Sequence, residues 1–507
     1  MHIINKIFNS FEKNGVKYCH FKSNQHLDES FDGTADFDVL VDYKRSSDCE
    51  RILLEHDCKR FEPEYIGAYP GVTNWIAFDS ETGRIFHLHL HYQLASGKSL
   101  VKEYILPWRE LILATAIKSD EFNIFISNPN VEILLLVSRM VIKSGIRKNL
   151  KATFNVFNLS SDMDREYKYL KNLINENDLK VLAQQMFSSD SAKQITNIII
   201  NNTTIGCQQF TQLRTIIRKE LKNYRRINSF SAVLNSKMLR IKELKNKFFS
   251  RKLDQYYITK KVTPSGGKII AFIGVDGCGK STLSGEITAW LNYKIEVKRF
   301  YMGEGDGKVT VFAALIKKCR SLVSRKRTKA TKEKTSFNSK DDIKQISFMS
   351  NPKKFVKKYI HSLLIYSVVK NNRKKILKMH KYRMNGGFSI LDRYPQLQHE
   401  GMNDGLKLGK YSAQLKSRRI KKLAQKERAL MSIAEMVHPD IVFRLNIRPE
   451  ISMQRKPEEQ TDYEAIKYKA DACKTLVFPK SVLVEVDAEQ ELDDVILVVK
   501  RKIWSEI

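Results

Sequence analysis

The sequence predicts an α/β protein: a C-terminal domain with a parallel sheet, preceded by an α+β domain and a helical connector. Three observations lead there. Near residue 270 an apolar, β-branched run meets a glycine-rich loop and then a helical pattern. Near the N-terminus two carboxylates alternate along a short strand-like run, from Gly33 to Val41. Between these regions the apolar residues recur at spacings of three and four. At 507 residues the chain is too long for a single core. The expected boundaries are 1–127, 128–265 and 266–507.

In the first of these regions, Lys17 to Asn24 reads as a strand and turn. The run Gly33-Thr-Ala-Asp-Phe-Asp-Val-Leu-Val41 puts Asp36 and Asp38 on one face of a strand, and a helix from Ser47 to Glu55 follows. Paired carboxylates at that period suit a two-Mg²⁺ site. The later strand Arg84 to Tyr92 offers His87, His89 and His91 on one face and no acid. Three imidazoles so spaced suit a transition metal, a phosphate or simply a polar strand face. Asp79 and Glu81 supply a further acid only if their loop folds back. The segment resembles the Gly-(Ser/Thr)…Asp-x-Asp signature of the nucleotidyltransferase fold. That resemblance implies a metal-binding role for Asp36 and Asp38, but the third acid of the family is missing from its strand. The domain therefore transfers nucleotides, binds them without turnover, or serves as a scaffold.

The connector starts with Leu134 to Val137 and continues through Leu170, Leu173, Ile174, Leu179 and Leu182. Polar clusters at 158–162, 188–191 and 200–204 punctuate it, and Val262-Thr-Pro-Ser-Gly-Gly267 is a short linker. The apolar patch Val131 to Ile142, broken by Glu132 and Arg139, reads as a buried helix.

The C-terminal region is the most informative. The strand-like run Ile269 to Ile273 leads into Gly274-x4-Gly279-Lys280-Ser281, and Leu283 and Ile287 begin a helix. This is the order of a P-loop. Gly277 and Gly279 let backbone N–H groups approach phosphate oxygens, the helix N-terminus adds its dipole, Lys280 reaches the β- and γ-phosphates, and Ser281 ligates Mg²⁺. ATP and Mg²⁺ are the expected cofactors, on Gly274, Asp276, Gly277, Cys278, Gly279, Lys280, Ser281 and Thr282.

Phe272-Ile-Gly-Val-Asp-Gly-Cys-Gly-Lys-Ser-Thr282 resembles the loop of thymidylate kinases. Three further segments follow in that family's order. Gly387 to Tyr394 ends in Asp392-Arg393-Tyr394, Pro439 to Asn446 precedes Pro449-Glu450 and Arg455-Lys456, and Ser481 to Ala488 leads to a helix reaching Trp504. The resemblance spans roughly residues 266–507. It implies that Asp276 contacts the acceptor's sugar, Asp392 supports the Mg²⁺ shell, Arg393 forks onto an acceptor phosphate, and Arg455 closes a lid over the transferred group. It also implies a homodimer. The acceptor-side elements depart from the family: Val297 to Gly307 replaces its Arg-Glu-Pro segment, and Pro395 to Glu400 replaces its Ser and Tyr-Gln pattern. The expected activity is transfer of the ATP γ-phosphate to a nucleoside monophosphate. Two alternatives stand beside it: a kinase or transferase acting on an anionic glycan or membrane-associated precursor, and a nucleotide-sensing regulator. For a sugar hydroxyl acceptor, Asp276 or Asp392 is the candidate base.

Charge is unevenly spread. Residues 1–150 hold 18 Lys/Arg against 20 Asp/Glu, so the formal +32 arises downstream. Residues 211–261 contain 15 basic and 3 acidic side chains, and residues 317–383 contain 22 and 3. Such density predicts an anionic partner: a membrane surface, a glycan or non-specific nucleic acid. No nucleic-acid-binding signature accompanies it. Seven scattered cysteines form no CxxC pair, as in a reduced compartment. The expected location is cytoplasmic, peripheral to the inner face of the membrane. Lys358 to Val369 reads as a core helix with some interfacial character.

Overall fold

A computed structural model describes residues 2–63, 68–98, 100–144, 160–252, 258–302, 352–401, 404–415, 417–456 and 462–507. The chain forms two compact units, 1–264 with residue 507, and 265–506.

The first unit opens with the helix Ile3–Lys13, whose Ile4, Ile7, Phe8 and Phe11 fall on one face and are buried. Its strands are β1 (Tyr18–His20), β2 (Phe37–Val41), β3 (Lys59–Phe61), β4 (Val72–Phe78), β5 (Ile85–His91), β6 (Leu94–Ser96), β7 (Tyr104–Leu106), β8 (Ile117–Lys118) and β9 (Phe125–Ile126). Seven make one mixed sheet in the order β3-β4-β5-β2-β1-β9-β8. β2 lies parallel to β5 in a register that sets Asp38 opposite His89. Alternation along both strands then gathers the carboxylates and imidazoles on one face.

The helix Pro129–Lys143 starts on the Asn128 cap, with Pro129 at its first position. Its residues Val131 to Ser138 and Met140 to Ile142 are all buried, as expected of a helix that is apolar on every side. It packs in one hydrophobic cluster with Cys19, Leu40 and Trp108 of the sheet region and with Tyr167, Leu182, Phe210 and Leu221 of the following helices. The region expected as a helical connector thus shares, as far as Leu221, the first unit's hydrophobic cluster. Apolar residues at helical spacing need a partner to bury against, and the neighbouring sheet provides it.

Beyond that core lies the helix Ser229–Lys252, with seven Lys/Arg and a single Glu. Its Phe230, Leu234, Met238, Ile241 and Leu244 follow one another at spacings of three and four and are 46–79% exposed.

In the second unit, β10 (Ile269–Gly274), β11 (Val297–Tyr301), β12 (Phe388–Asp392), β13 (Ile441–Asn446) and β14 (Val482–Asp487) form a sheet ordered β11-β12-β10-β13-β14. Every pairing is parallel. The α/β class with a parallel sheet is therefore the one observed. β10 is central and buried, consistent with its continuous apolar run. Gly267, two residues before it, lies so close to the segment leading into β12 that an added Cβ would stand 2.0 Å from the Gly387 carbonyl oxygen. Because all strands run the same way, the C-terminal ends of β10, β12 and β13 share one edge, where parallel sheets place their ligands. Lys358 to Val369 lies within the helix Pro352–Met384, with Ile365 and Val369 buried. The Lys317 to Arg327 part of the second basic stretch, and Gly303 to Gly307 of the acceptor segment, lie outside the described residues. No helix among the described residues is long and apolar enough to cross a membrane.

Candidate functional site

At the end of β10 the chain turns through Gly274 to Gly279 into the helix Lys280–Asn292. Gly277 and Gly279 have φ of +86° and +94°, a region where side chains are strained. A Cβ on Gly277 would also stand 2.7 Å from the Ser452 carbonyl oxygen. Lys280 is buried and folds over the loop, its Nζ donating to the carbonyl oxygens of Gly274 (3.0 Å) and Val275 (2.6 Å). Cys278 is buried behind it, with Sγ 3.6 Å from the same Nζ. Thr282 is exposed in the first helical turn.

Ser281 Oγ donates to Asp392 Oδ2, at the C-terminal end of β12. Arg299, from β11, donates to the same oxygen at 3.3 Å and to the Ser281 carbonyl at 2.8 Å. The other carboxylate oxygen, Asp392 Oδ1, is buried with no hydrogen-bond partner among the described residues. A hydroxyl beside an under-used carboxylate is a hard-oxygen set that fits Mg²⁺.

The opposite wall is built around Asp276. Arg393 Nη2 donates to Asp276 Oδ1 at 2.8 Å, and Lys469 Nζ approaches Oδ2 at 3.4 Å. Arg393 also lies 3.6 Å from Asp404 and has φ +78°, held by its N–H to the Phe272 carbonyl (3.1 Å). Burial pushes the Asp276 carboxyl up, but Arg393, Lys280 and Lys469 outweigh it and hold the pKa down to about 2. Gly274, Asp276, Lys280, Arg393, Asp404 and Lys469 line a cavity of about 220 Å³. The glycine loop and the residues expected on the acceptor side thus line one space. Arg455 is not part of it: at the end of the helix Pro449–Arg455 its Nη1 donates to the Ala488 carbonyl at 2.9 Å. The cation brought to the loop from this side is Lys469, on the helix Tyr463–Lys474. Sequence reading missed Lys469, Asp404 and Arg299, which carry no local motif.

In the first unit, the face predicted to hold Asp36, Asp38 and the three histidines does gather them. Asp36 sits 2.9 Å from His87 Nδ1. Asp38 Oδ1 receives Lys22 Nζ at 2.9 Å, His91 Nε2 at 3.2 Å and His89 Nδ1 at 3.3 Å. Burial opposes ionisation of Asp38, yet Lys22, His89 and His91 hold its carboxyl well below the usual range. Burial pushes the His87 imidazole down to about 4. Among the described residues, the group able to converge on one cation is Asp38, His89 and His91, without Asp36. The residues therefore do not fit the expected pair of Mg²⁺ ions. One carboxylate is turned to a histidine, the other is neutralised by an ammonium, and the remaining donors are nitrogens.

No family model matches the chain. Among curated proteins it is similar to the uncharacterized ATP-binding protein YghS of Escherichia coli strain K12, 26% identical over 233 residues, which cover 45% of this chain and 89% of that protein. The ATP-binding protein YghR of the same strain is 23% identical over 229 residues, covering 45% and 83%. Among solved structures, the deoxyadenosine kinase from M. mycoides with bound dCTP aligns over 47% of this chain and 99% of its own, at 14% identity and a TM-score of 0.26.

Proposed function

We propose that the second unit is an ATP-dependent kinase that passes the γ-phosphoryl group to a small phosphorylated acceptor. The observation that carries this reading is the shared cavity. Lys280 lines it together with the Asp276–Arg393–Lys469 cluster, and the Ser281–Asp392 pair begins at the residue next to Lys280. The names of two relatives as ATP-binding proteins point the same way.

In this reading Lys280 exchanges the carbonyls of Gly274 and Val275 for phosphate oxygens, and the loop N–H groups close around them. Mg²⁺ held by Ser281 and Asp392 would screen charge between the β- and γ-phosphates. Arg393 forks onto the acceptor phosphate in place of Asp276. An ionised acceptor oxygen forms the new P–O bond while the β,γ-bridging P–O bond breaks and ADP leaves, so no proton has to move. Asp276, which Lys469 also approaches, is placed to orient the acceptor, and an acceptor oxygen that is already ionised asks no base of it. The cations Arg393 and Lys469 in the cavity favour a phosphomonoester, including a nucleoside monophosphate, over a neutral sugar hydroxyl.

The test is transfer from γ-labelled ATP to a panel of nucleoside and sugar monophosphates, with Lys280→Ala as the blank. Labelled product lost in the variant supports the kinase. Tight ATP binding with transfer to no phosphomonoester overturns it.

A second reading concerns place. We propose that the cationic helix Ser229–Lys252, with its exposed apolar stripe, lies on an anionic lipid surface. Seven basic residues against one acid are the complement of such a surface, and the stripe supplies the apolar area that interfacial helices bury.

A further inference from the structure

The first unit contains a second charged cavity, of about 60 Å³, which the kinase chemistry does not use. Four cations line it: Lys22, Lys102, Arg139 and Lys143. Two are balanced, Lys22 by Asp38 at 2.9 Å and Arg139 by Glu166 at 3.4 Å. Lys102 and Lys143 form no ion pair with a carboxylate among the described residues. Lys102 Nζ instead rests 4.6 Å from the centre of the Tyr69 ring. Burial, then Arg139, Lys22 and Lys102, push the Lys143 ammonium down to about 7. Half-buried ammonium groups crowded by like charge are costly to fold around. They are the arrangement expected where an anion supplies the missing charge.

The same geometry argues against a cation. Asp38 Oδ1 is already engaged by Lys22, His89 and His91, so a divalent ion would have to displace an ammonium from contact distance and face three more cations. Beside the cations, His89, His91 and Ser96, the wall is apolar and aromatic, with Phe21, Tyr69, Val72 and Leu106.

We propose that this cavity binds a phosphomonoester without metal, its phosphoryl group between Lys102, Lys143 and Arg139 and its organic part against Tyr69 and Phe21. The site does not depend on the kinase reading. It adjoins the face where the two-metal pair was expected, through Lys22, His89 and His91, and takes an anion rather than a cation.

The test uses the full chain carrying Lys280→Ala with Arg393→Ala, which removes the loop lysine and the acceptor-side guanidinium of the second unit, with inorganic phosphate and phenyl phosphate as calorimetric probes at low salt. Both should bind, and phenyl phosphate about tenfold more tightly because its ring is buried as well. Lys102→Gln with Lys143→Gln should weaken both by roughly 10- to 100-fold, as charge-assisted contacts are lost. The single variant Lys143→Met provides a readout independent of folding defects. Removing an uncompensated ammonium should raise the melting temperature of the free protein and shrink the stabilisation that phosphate confers. Unchanged binding in the double lysine variant overturns the proposal. So does equal affinity for the two probes, or tight Zn²⁺ binding that survives the lysine changes and disappears in His89→Ala with His91→Ala.

Discussion

Arg393 and Asp276 meet as an ion pair, Nη2 to Oδ1 at 2.8 Å, although 117 residues separate them in the chain. The pair links the strand end of β12 to the glycine loop, and in the proposed kinase it occupies the guanidinium until an acceptor takes it. Replacing Arg393 by Lys keeps the charge and loses the planar fork. The acceptor KM should rise about 10- to 100-fold while ATP affinity stays within about twofold. Steady-state kinetics with each substrate varied separately distinguishes this from a general loss of activity.

The two loop glycines should respond differently to an added methyl group. Both sit at positive φ, but the Cβ of Gly277→Ala meets Ser452 at 2.7 Å, whereas that of Gly279→Ala meets nothing within 4 Å. Urea denaturation should show about 1 kcal/mol lost for Gly279→Ala and about 2–3 kcal/mol for Gly277→Ala. Equal losses would mean that Ser452 yields and that the close approach is not a constraint.

Asp392 has one oxygen held by Ser281 and Arg299 and one without a partner among the described residues. Asp392→Asn should lower phosphoryl transfer about 10²- to 10³-fold and raise the Mg²⁺ concentration needed for half-maximal rate. Nucleotide binding measured without Mg²⁺ should change little.

Glu132 is buried under the first sheet, accepting hydrogen bonds from Ser127 Oγ (2.6 Å) and Asn24 N–H (3.2 Å). Burial nevertheless lifts its pKa to about 7 from 4.5. A folded-state pKa above the unfolded one means that the unfolded chain loses its proton first as pH rises. Stability should therefore fall between about pH 4.5 and 7, by at most about 3 kcal/mol, and level off above. Glu132→Gln should remove that slope, read from denaturant midpoints across the range.

For the helix Ser229–Lys252, co-sedimentation with vesicles should depend on phosphatidylglycerol and fade as salt screens the attraction. Replacing Leu234, Met238 and Ile241 by Ser should weaken it by about tenfold or more, because buried apolar area is lost while the charge is unchanged. Equal binding to neutral phosphatidylcholine, or none to either, excludes the lipid surface.

What the sequence made legible follows from how local each signal is. Strand β10, the glycine turn and the helix after it are written in the consecutive run Ile269–Asn292, where Gly277 and Gly279 sit at positive φ and Gly277 also lies against Ser452. The Asp36/Asp38 face was legible too, since a period of two fixes the side on which a strand's side chains stand. The local sequence could not show what comes to meet those residues. Lys22 reaches Asp38 from the turn after β1, and Lys469 reaches Asp276 across 193 positions. Neither lysine differs locally from one on a solvated face. Arg455 shows the converse: its place after a strand and short helix looked right for a lid, and the tertiary structure gave it to the Ala488 carbonyl instead. The connector's helices were legible in the same way, but helical spacing says that a face will be buried and not against which neighbour.

The hold of Lys280 on the carbonyls of Gly274 and Val275 affects which ligands the loop can admit. Its ammonium is already solvated by the protein, so an incoming molecule must outbid two peptide dipoles to win it. A polyphosphate can do so, while an uncharged look-alike of the same outline has nothing to trade. In the proposed kinase the loop would therefore select by charge before shape, and inhibitors that mimic the nucleoside alone should leave its lysine where it rests.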